Sequence, residues 1–226
     1  MRDGGDSCDA ARDMTTRPQL FGTPLSHFTR KVRILCAELA VDVEFVRTSS
    51  VLAATPSGYG DNPLMRIPTL IDGGATIIDS DHIARYLVGK FDPDDRLAVR
   101  SEAIAALNAL AVVTGIMNNE VVLILAARGG LTDVENIVYF RKLRAAIDHG
   151  LAWLDAQVDP EAAFDYRDIA TICMWQHIAH YQLVPDLTRY ARVGARVARF
   201  ADRPSIASTA PDVSLAEARA AGWQPA

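Results

Sequence analysis

The spacing of hydrophobic residues separates a first part with strand patterns from a second part with helical patterns. Apolar residues cluster or alternate over 19–22 and 41–46, as expected for short strands. Between them, over 27–40, apolar side chains recur at three- and four-residue steps, which predicts an amphipathic helix. Strand, helix and strand within about 30 residues is the size of a parallel crossover unit. The pattern therefore predicts an α/β fold for the first part.

A hairpin and a second helix complete this first part. Residues 67–71 and 76–78 are apolar and are separated by the turn sequence Asp-Gly-Gly at 72–74, which is typical of a β-hairpin. Ser80 is predicted to cap the helix that follows, and the apolar positions of this helix continue as far as Gly89.

Differences in composition define the predicted domain organisation. Residues 1–18 are polar and of mixed charge, and we predict a disordered leader there. The α/β domain covers 19–90, and the proline and aspartates of 91–95 indicate a linker. Residues 96–226 are rich in aliphatic side chains at helical spacing, which predicts an all-helical second domain.

The second domain is predicted to begin with two long helices. They cover 94–127 and 132–157, and a Gly-Gly pair at 129–130 separates them. Asp165 and Asp168 have the spacing of a capping box before a further helix, and we expect both to be structural. Four arginines fall near one face of the last predicted helix, where we expect them to be solvated: Arg189, Arg192, Arg196 and Arg199.

Charge and cysteine content exclude several classes of partner. The net charge of -5 provides no general attraction to nucleic acid or anionic lipid. Cys8, Cys36 and Cys173 form no C-x-x-C pair, which argues against a disulfide framework or a zinc site. No uninterrupted apolar run reaches the ~18 residues of a membrane span. We therefore expect a cytoplasmic protein that acts on a small molecule, without metal, nucleic acid or membrane.

Several separate stretches resemble the glutathione transferase superfamily, in particular its bacterial members with an active-site serine. Residues 20–34, L-F-G-T-P-L-S-H-F-T-R-K-V-R-I, are similar to the first strand and helix of that family. Residues 62–70, N-P-L-M-R-I-P-T-L, resemble the loop before its cis-proline, and 78–87, I-D-S-D-H-I-A-R-Y-L, resemble its γ-glutamyl-binding segment. Residues 115–119 and 203–211 resemble family segments in the second domain. The resemblance implies a thioredoxin-like N-terminal domain followed by an all-helical C-terminal domain.

The resemblance also implies a glutathione site in the first domain. Ser26 occupies the position of the catalytic serine that faces the glutathione sulfur, at the start of the predicted first helix, where the helix dipole favours an anion. The Ile67-Pro68 bond is expected to be cis, so that the backbone of Ile67 can pair with the cysteinyl part of the ligand. The implied glutathione-binding residues are Arg66, Ile67, Pro68, Asp79 and Ser80.

The second domain is expected to form the wall of a pocket for the electrophile. The candidate wall residues are Met117, Asn118, Val121 and Trp175. Met and Trp at helical spacing are more often core residues, which is the alternative interpretation of Met117 and Trp175. The resemblance further implies a homodimer, with glutathione as the co-substrate and no metal.

The function implied by the resemblance is conjugation of the glutathione thiolate to a small apolar electrophile. The alternative is a non-catalytic or regulatory glutathione-binding protein, because a fold does not determine a function. His27, where the family often has proline, and Thr114 and Asn118, where it often has aspartate, keep this alternative open. A glutathione-dependent thiol-disulfide oxidoreductase or peroxidase is a weaker alternative, because no cysteine occurs in 22–29.

Overall fold

The computed structural model describes residues 17–223 of the 226-residue chain. The predicted leader, residues 1–18, therefore lies outside the described residues except for its last two positions. Of these, Arg17 forms an ion pair with Asp42 at 2.5 Å, and the carbonyl of Pro18 accepts a hydrogen bond from the N–H of Glu44 at 2.8 Å. These contacts attach the start of the described chain to the neighbouring strand.

Four short strands form one mixed sheet in the N-terminal domain. They are β1 (Gln19–Gly22), β2 (Glu44–Arg47), β3 (Thr69–Asp72) and β4 (Ala75–Ile78). The sheet order is β2-β1-β3-β4; β1 is parallel to β2 and antiparallel to β3, and β3 is antiparallel to β4. The crossover between the parallel strands contains α1 (His27–Glu38), and α2 (Ser80–Phe91) follows the hairpin. This is the predicted thioredoxin-like arrangement.

The core of this domain lies between the sheet and its two helices. Leu20 and Leu70 of the sheet are fully buried, as are Val32 and Leu35 of α1 and Leu87 of α2. Their spacing in the helices follows the three- and four-residue steps of the sequence pattern. Burial of apolar side chains on one face of each helix therefore fixes the starts of α1 and α2 against the end of the sheet.

The start of α2 differs by one residue from the prediction. The capping residue is Asp79, whose carboxylate accepts hydrogen bonds from the N–H groups of Asp81 and His82, whereas Ser80 is the first helical residue. Aspartate and serine cap helices equally well, so the sequence alone did not choose between the two adjacent residues.

The C-terminal domain consists of helices over the part of the chain that the structure describes. They are α3 (Ile104–Arg128), α4 (Val138–Gln157), α5 (Tyr166–Tyr181), α6 (Ala191–Phe200), α7 (Pro204–Ala207) and α8 (Pro211–Ala220). α3 packs against α4 and α5, and α1 of the N-terminal domain packs against α5. The fold class is as predicted, while the domain boundaries at 90 and 96 stay predictions.

The first helix of this domain begins at Ile104 and not at the predicted residue 94. The carboxylate of Asp95 accepts hydrogen bonds from the backbone N–H groups of Val99 and Arg100, both at 2.8 Å. These side-chain acceptors satisfy the backbone in a non-helical conformation, which aspartate commonly does. The segment before α3 is therefore a series of turns, although its composition suits a helix.

The predicted capping box of α5 is confirmed. The carboxylate of Asp165 accepts from the N–H of Asp168, and the carboxylate of Asp168 accepts from the N–H of Asp165 at 2.9 Å. Arg196 does not have the solvated position that was predicted for it. Its guanidinium is 5% exposed and forms a two-bond ion pair with Asp168.

One described helix, α3, has the length and apolar composition of a membrane span, with a mean hydropathy of 1.8. Asn118, Asn119 and Glu120 interrupt the apolar run of this helix, so no uninterrupted run reaches the length of a membrane span, but the mean hydropathy remains high. Glu120 is fully buried in the structure, and α3 packs along α4 and α5. In this structure α3 is one of the packed helices of the C-terminal domain, and 28% of its most apolar stretch of 18 residues is buried.

Candidate functional site

Three of the segments singled out in the sequence meet at one end of the sheet. Thr69 pairs with Phe21 on one side and with Ile78 on the other. Pro68 precedes Thr69 and Asp79 follows Ile78, so both lie at the same end of the sheet. β1 also ends there and leads into α1. Residues that are far apart in the chain thus lie at the same end of the sheet.

Ser26 is the capping residue of α1. Its Oγ accepts a hydrogen bond from the N–H of Thr29 at 3.1 Å, which leaves the hydroxyl hydrogen available to a ligand. The side chain is half-buried and lines a cavity. Free N–H groups and the positive end of the helix dipole favour an anion at this position.

The cavity has a volume of about 700 Å³ and lies between the N-terminal domain and the helices α3 and α5. Small-molecule sites typically have volumes of about 300–1,000 Å³. Its wall on the N-terminal side includes Thr23, Leu25, Ser26, Tyr59, Arg66 and Ile67. The charged groups among the described lining residues are the guanidinium groups of Arg66 and Arg128, and no carboxylate is among them. The wall therefore favours an anionic ligand.

The loop before β3 presents its backbone to this cavity. The Ile67-Pro68 peptide bond is cis, which confirms the expected isomer. Ile67 is partly exposed and lines the cavity, whereas Pro68 is buried behind it. Within residues 17–223, the N–H and C=O of Ile67 form no backbone hydrogen bond. Both groups are available to an extended ligand.

Asp79 and Ser80 lie at the same end of the sheet but are not among the described residues that line the cavity. Asp79 has a φ of 75°, a conformation that L-residues rarely adopt, and its side chain is exposed. Ser80 is 2% exposed, and its Oγ has no hydrogen-bond partner in the described part of the chain. A strained backbone and a buried hydroxyl without a partner thus occur at adjacent residues.

Comparison with known proteins identifies the architecture. Residues 20–95 match the family described as glutathione S-transferase, N-terminal domain. A glutathione S-transferase from Methylobacillus flagellatus with glutathione bound has a TM-score of 0.73 and 27% sequence identity over 86% of this chain and 99% of its own. The chain has the glutathione transferase fold. No match is found among curated proteins.

Two other solved structures with the glutathione transferase fold are similar over most of their length. A glutathione transferase family member from Pseudomonas fluorescens with bound glutathione has a TM-score of 0.70 and 25% identity, covering 86% of this chain and 98% of its own. A glutathione S-transferase from Methylobacterium radiotolerans in complex with glutathione sulfonate has a TM-score of 0.74 and 23% identity, covering 87% and 95%. The similarity therefore extends through both domains.

The helical wall of the cavity contains two of the four predicted residues. Asn118 and Val121 of α3 line it. Met117 is fully buried, and Trp175 lies beside Gly194 of α6; neither is among the described lining residues. Met117 and Trp175 thus have the positions expected of core residues and do not contact the cavity in this structure. Successive residues of a helix face different directions, so Met117 points inward while Asn118 faces the cavity.

Asp81 connects the two domains of the glutathione transferase fold next to the site. Its carboxylate accepts hydrogen bonds from Lys31 Nζ and from the Tyr166 hydroxyl, both at 2.7 Å, and from the Thr114 hydroxyl at 3.4 Å. Burial, with a further contribution from Asp81, raises the pKa of Tyr166 well above its usual value, so its hydroxyl remains a donor. This network holds α1 and α2 against α3 and α5.

A polar cluster that was not predicted from the sequence lies at the cavity. It consists of His27 at the start of α1, Glu120 in the middle of α3 and His177 in α5. One ligating atom from each side chain lies within 4.8 Å of the other two. The Nδ1 atom of His177 lies 2.5 Å from Oε2 of Glu120, and the two imidazole rings are in contact, with centroids 3.8 Å apart and planes tilted by 37°. Both histidines line the cavity.

Burial keeps all three groups of this cluster neutral. It raises the pKa of Glu120 well above its usual value. It lowers the pKa of His27 to about 3 and also lowers the pKa of His177. The distance between Glu120 and His177 is that of an ion pair, but burial of both groups favours a neutral carboxylic acid that donates its proton to the imidazole.

Only the fold brings this cluster together. His27 is separated from Glu120 by most of the N-terminal domain and the start of α3, and Glu120 is 57 positions from His177. The one available signal in the sequence is a glutamate inside an apolar helix, because such a residue is rarely fully buried without a partner.

The two described cysteines lie away from the cavity. Cys36 and Cys173 are 2% and 1% exposed. Burial raises the pKa of Cys36 to about 12 and also raises the pKa of Cys173. A neutral buried thiol is a poor nucleophile, so these two residues are packing residues, as expected for Cys36.

Proposed function

We propose that this protein is a glutathione-dependent transferase in which the glutathione thiolate attacks a small apolar electrophile. The observation that best supports this proposal is the position of the Ser26 hydroxyl at the start of α1, on the wall of a cavity of about 700 Å³. The presence of glutathione in a structurally similar protein 27% identical to this chain supports the identity of the thiol.

Ser26 is proposed to stabilise the sulfur anion. A free thiol has a pKa near ~8.5, so only a small fraction is ionised at neutral pH. The Ser26 hydroxyl donates to the sulfur, and the N-terminus of α1 adds a favourable field. Each unit by which the thiol pKa falls corresponds to about 1.4 kcal/mol of preferential stabilisation of the thiolate. The sulfur then forms a bond to the electrophilic atom, and the leaving group departs with the electron pair.

The peptide part of glutathione is proposed to bind along the end of the sheet. The free N–H and C=O of Ile67 pair with the cysteinyl residue, as in the addition of a short strand. The Asp79 carboxylate binds the γ-glutamyl ammonium, and the Ser80 hydroxyl binds the adjacent carboxylate. The strained backbone of Asp79 supports this role, because such strain concentrates at ligand sites. Arg66 is proposed to bind the second carboxylate.

The electrophile is proposed to contact the α3 wall at Asn118 and Val121, with the buried Met117 on the inward side of the same helix. An apolar wall suits an apolar electrophile and excludes water from the sulfur. The buried state of Cys36 and Cys173 disfavours a thiol-disulfide exchange that uses either cysteine.

Calorimetric titration with glutathione, followed by turnover of an aryl halide, tests these roles. Ser26→Ala should keep the affinity for glutathione but lower kcat/KM by about tenfold to a hundredfold, because it removes one hydrogen bond to the glutathione thiolate. Asp79→Asn keeps the helix cap and removes the charge, so the affinity should fall about tenfold while the unfolding temperature stays unchanged.

Ser80→Ala is the matched variant for the γ-glutamyl site. Its hydroxyl has no partner in the described structure, so its removal should leave the stability unchanged or slightly higher. The affinity for glutathione should nevertheless fall. No binding to the wild type at millimolar glutathione would overturn the proposal, and binding without turnover of any electrophile would favour the regulatory alternative.

The proposed functional form is a cytoplasmic homodimer that detoxifies electrophiles. Exposed apolar side chains on α3 and α4 support self-association: Ile104 is 71% exposed, Val138 is 71% exposed and Tyr139 is 54% exposed. Light scattering after size-exclusion chromatography should give twice the chain mass. Replacing Ile104 and Val138 together with Asp should then give the mass of one chain.

A further inference from the structure

The cluster of His27, Glu120 and His177 is not used by the proposed transferase. The three side chains come from α1, α3 and α5, and their exposed fractions are 2%, 0% and 6%. Histidine and glutamate are rarely buried to this extent, and buried ionisable groups are normally paired or bind metal ions.

Two atoms in this cluster have no partner among the described residues. They are Nδ1 of His27 and Oε1 of Glu120. The other ring nitrogen of His27, Nε2, lies 3.2 Å from the carbonyl oxygen of Met117. A carbonyl only accepts, so Nε2 must carry the hydrogen and Nδ1 must present a lone pair. Both orphan atoms are thus electron-pair donors.

The arrangement resembles the surroundings of a metal-binding histidine. Histidines that bind metals almost always donate their second N–H to a carbonyl or carboxylate, which fixes the ring orientation. The Met117 carbonyl has this position for His27. The His177 ring contacts the rings of His27 and Tyr181, with centroids at 3.8 and 4.7 Å, and these contacts restrict the orientation of the second imidazole.

The distances also suit a metal ion after a small adjustment. Metal bonds of about 2.0–2.2 Å in tetrahedral geometry place ligand atoms about 3.3 Å apart. The ligating atoms here lie within 4.8 Å of one another, and the closest pair, Nδ1 of His177 and Oε2 of Glu120, lies at 2.5 Å. The separation required by a metal ion lies within the range of distances found in the cluster.

We propose that His27, Glu120 and His177 form a binding site for one divalent transition-metal ion such as Zn²⁺. Binding of the ion releases to solvent the proton that Glu120 donates to His177, which leaves two imidazoles and one carboxylate as ligands. This is a ligand set used by catalytic zinc and by non-haem iron(II). The ion leaves a further coordination position on the side of the cavity, because both histidines line it. That position accepts water or an anionic ligand. The site does not depend on the proposed transferase function.

Titration of the chelator-treated full-length chain with Zn²⁺ alone tests the proposal. A Cys8→Ser background removes the thiol outside the described residues. We expect one Zn²⁺ per chain, and binding at least about tenfold weaker in Glu120→Gln and in His177→Asn. The matched control is His180→Asn, because this histidine lies on the same helix and contacts Asp212 at 3.4 Å. It should bind as tightly as the parent chain.

A spectroscopic measurement keeps the test decisive if a variant does not fold. Co²⁺ added to the parent chain should give a visible absorption band that Zn²⁺ removes. Absence of both stoichiometric Zn²⁺ binding and the Co²⁺ band in the parent chain would overturn the proposal. Unchanged Zn²⁺ binding in folded Glu120→Gln and His177→Asn would overturn it as well.

Discussion

Replacing Asp168 with Asn should destabilise the protein by about 3–5 kcal/mol, because the Arg196 guanidinium then stays buried without its counter-ion. Nε and Nη2 of Arg196 each lie 2.8 Å from one carboxylate oxygen of Asp168. The two side chains are only 5% and 9% exposed. Because water is largely excluded from this pair, it screens the unpaired positive charge of Arg196 only weakly. The free-energy cost of losing the carboxylate therefore exceeds that at a surface ion pair.

The remaining N–H groups of Arg196 prevent it from turning towards solvent. They donate to the carbonyl oxygens of Pro160, Ala162 and Ala163 at 3.2, 2.6 and 2.8 Å. An asparagine at 168 offers one acceptor, but it also directs an NH₂ group at the guanidinium. The guanidinium is thus held in place while one of its acceptors is lost.

Thermal and urea unfolding measure this effect. For a chain of this size the expected loss lowers the unfolding temperature by about 6–20 °C. Arg192→Gln is the matched control, because Arg192 is exposed and donates only to backbone carbonyls, and it should cost about 1 kcal/mol or less. A loss below about 1 kcal/mol for Asp168→Asn would refute the view that this pair is inaccessible to water.

Two further predictions concern α1. A Cβ at Gly22 would clash with Cγ2 of Thr29. Gly22→Ala should therefore lower the free energy of unfolding by about 1–3 kcal/mol in chemical denaturation, and it should lower kcat by displacing the start of α1. Adding Thr29→Ser should restore part of both losses, and an unchanged stability in Gly22→Ala would contradict the steric argument. The second prediction concerns Glu38: burial raises the pKa of its carboxyl, but hydrogen bonding to Arg203 outweighs burial and keeps this pKa below its usual value. The Glu38 carboxylate therefore stabilises the fold above about pH 4.5, and this stabilisation is lost as pH falls through the folded pKa. Glu38→Gln should therefore lose about 1 kcal/mol at pH 7 and depend less on pH below 5 in acid unfolding, and parallel acid curves for both proteins would contradict this.

The elements that the sequence predicted well are those with local causes. β1 is found at the predicted residues 19–22, and the capping box of Asp165 and Asp168 depends on residues three apart. The start of α3 was predicted wrongly because the carboxylate of Asp95 competes for the backbone, and its hydrogen bonds outweigh the helical composition. Periodicity reports burial on one helix face, but not which side chain competes with the backbone.

Contacts between distant segments explain the other differences. Arg196 lies on a charged helix face, and its burial depends on the loop carbonyls and on Asp168, which no local pattern reveals. Pairing of β3 with β1 and β4 brings Pro68 and Asp79 to one end of the sheet, and this placement was accessible only through resemblance to a known family. Hydrophobic periodicity predicts individual helices and strands, whereas the position of the site depends on how these helices and strands pair and pack.

The effect of the buried cluster of His27, Glu120 and His177 on stability distinguishes a functional role of these side chains from a structural one. Buried polar atoms without partners cost about 1–3 kcal/mol each, and apolar replacements of similar volume are often neutral or stabilising. The double variant Glu120→Met with His177→Phe should therefore be at least as stable as the parent chain in a chelating buffer, as measured by urea unfolding. Zn²⁺ should raise the unfolding temperature of the parent chain only. A loss above about 2 kcal/mol in the double variant would instead show that His27, Glu120 and His177 are retained for packing, since polar groups kept for function are expected to reduce stability.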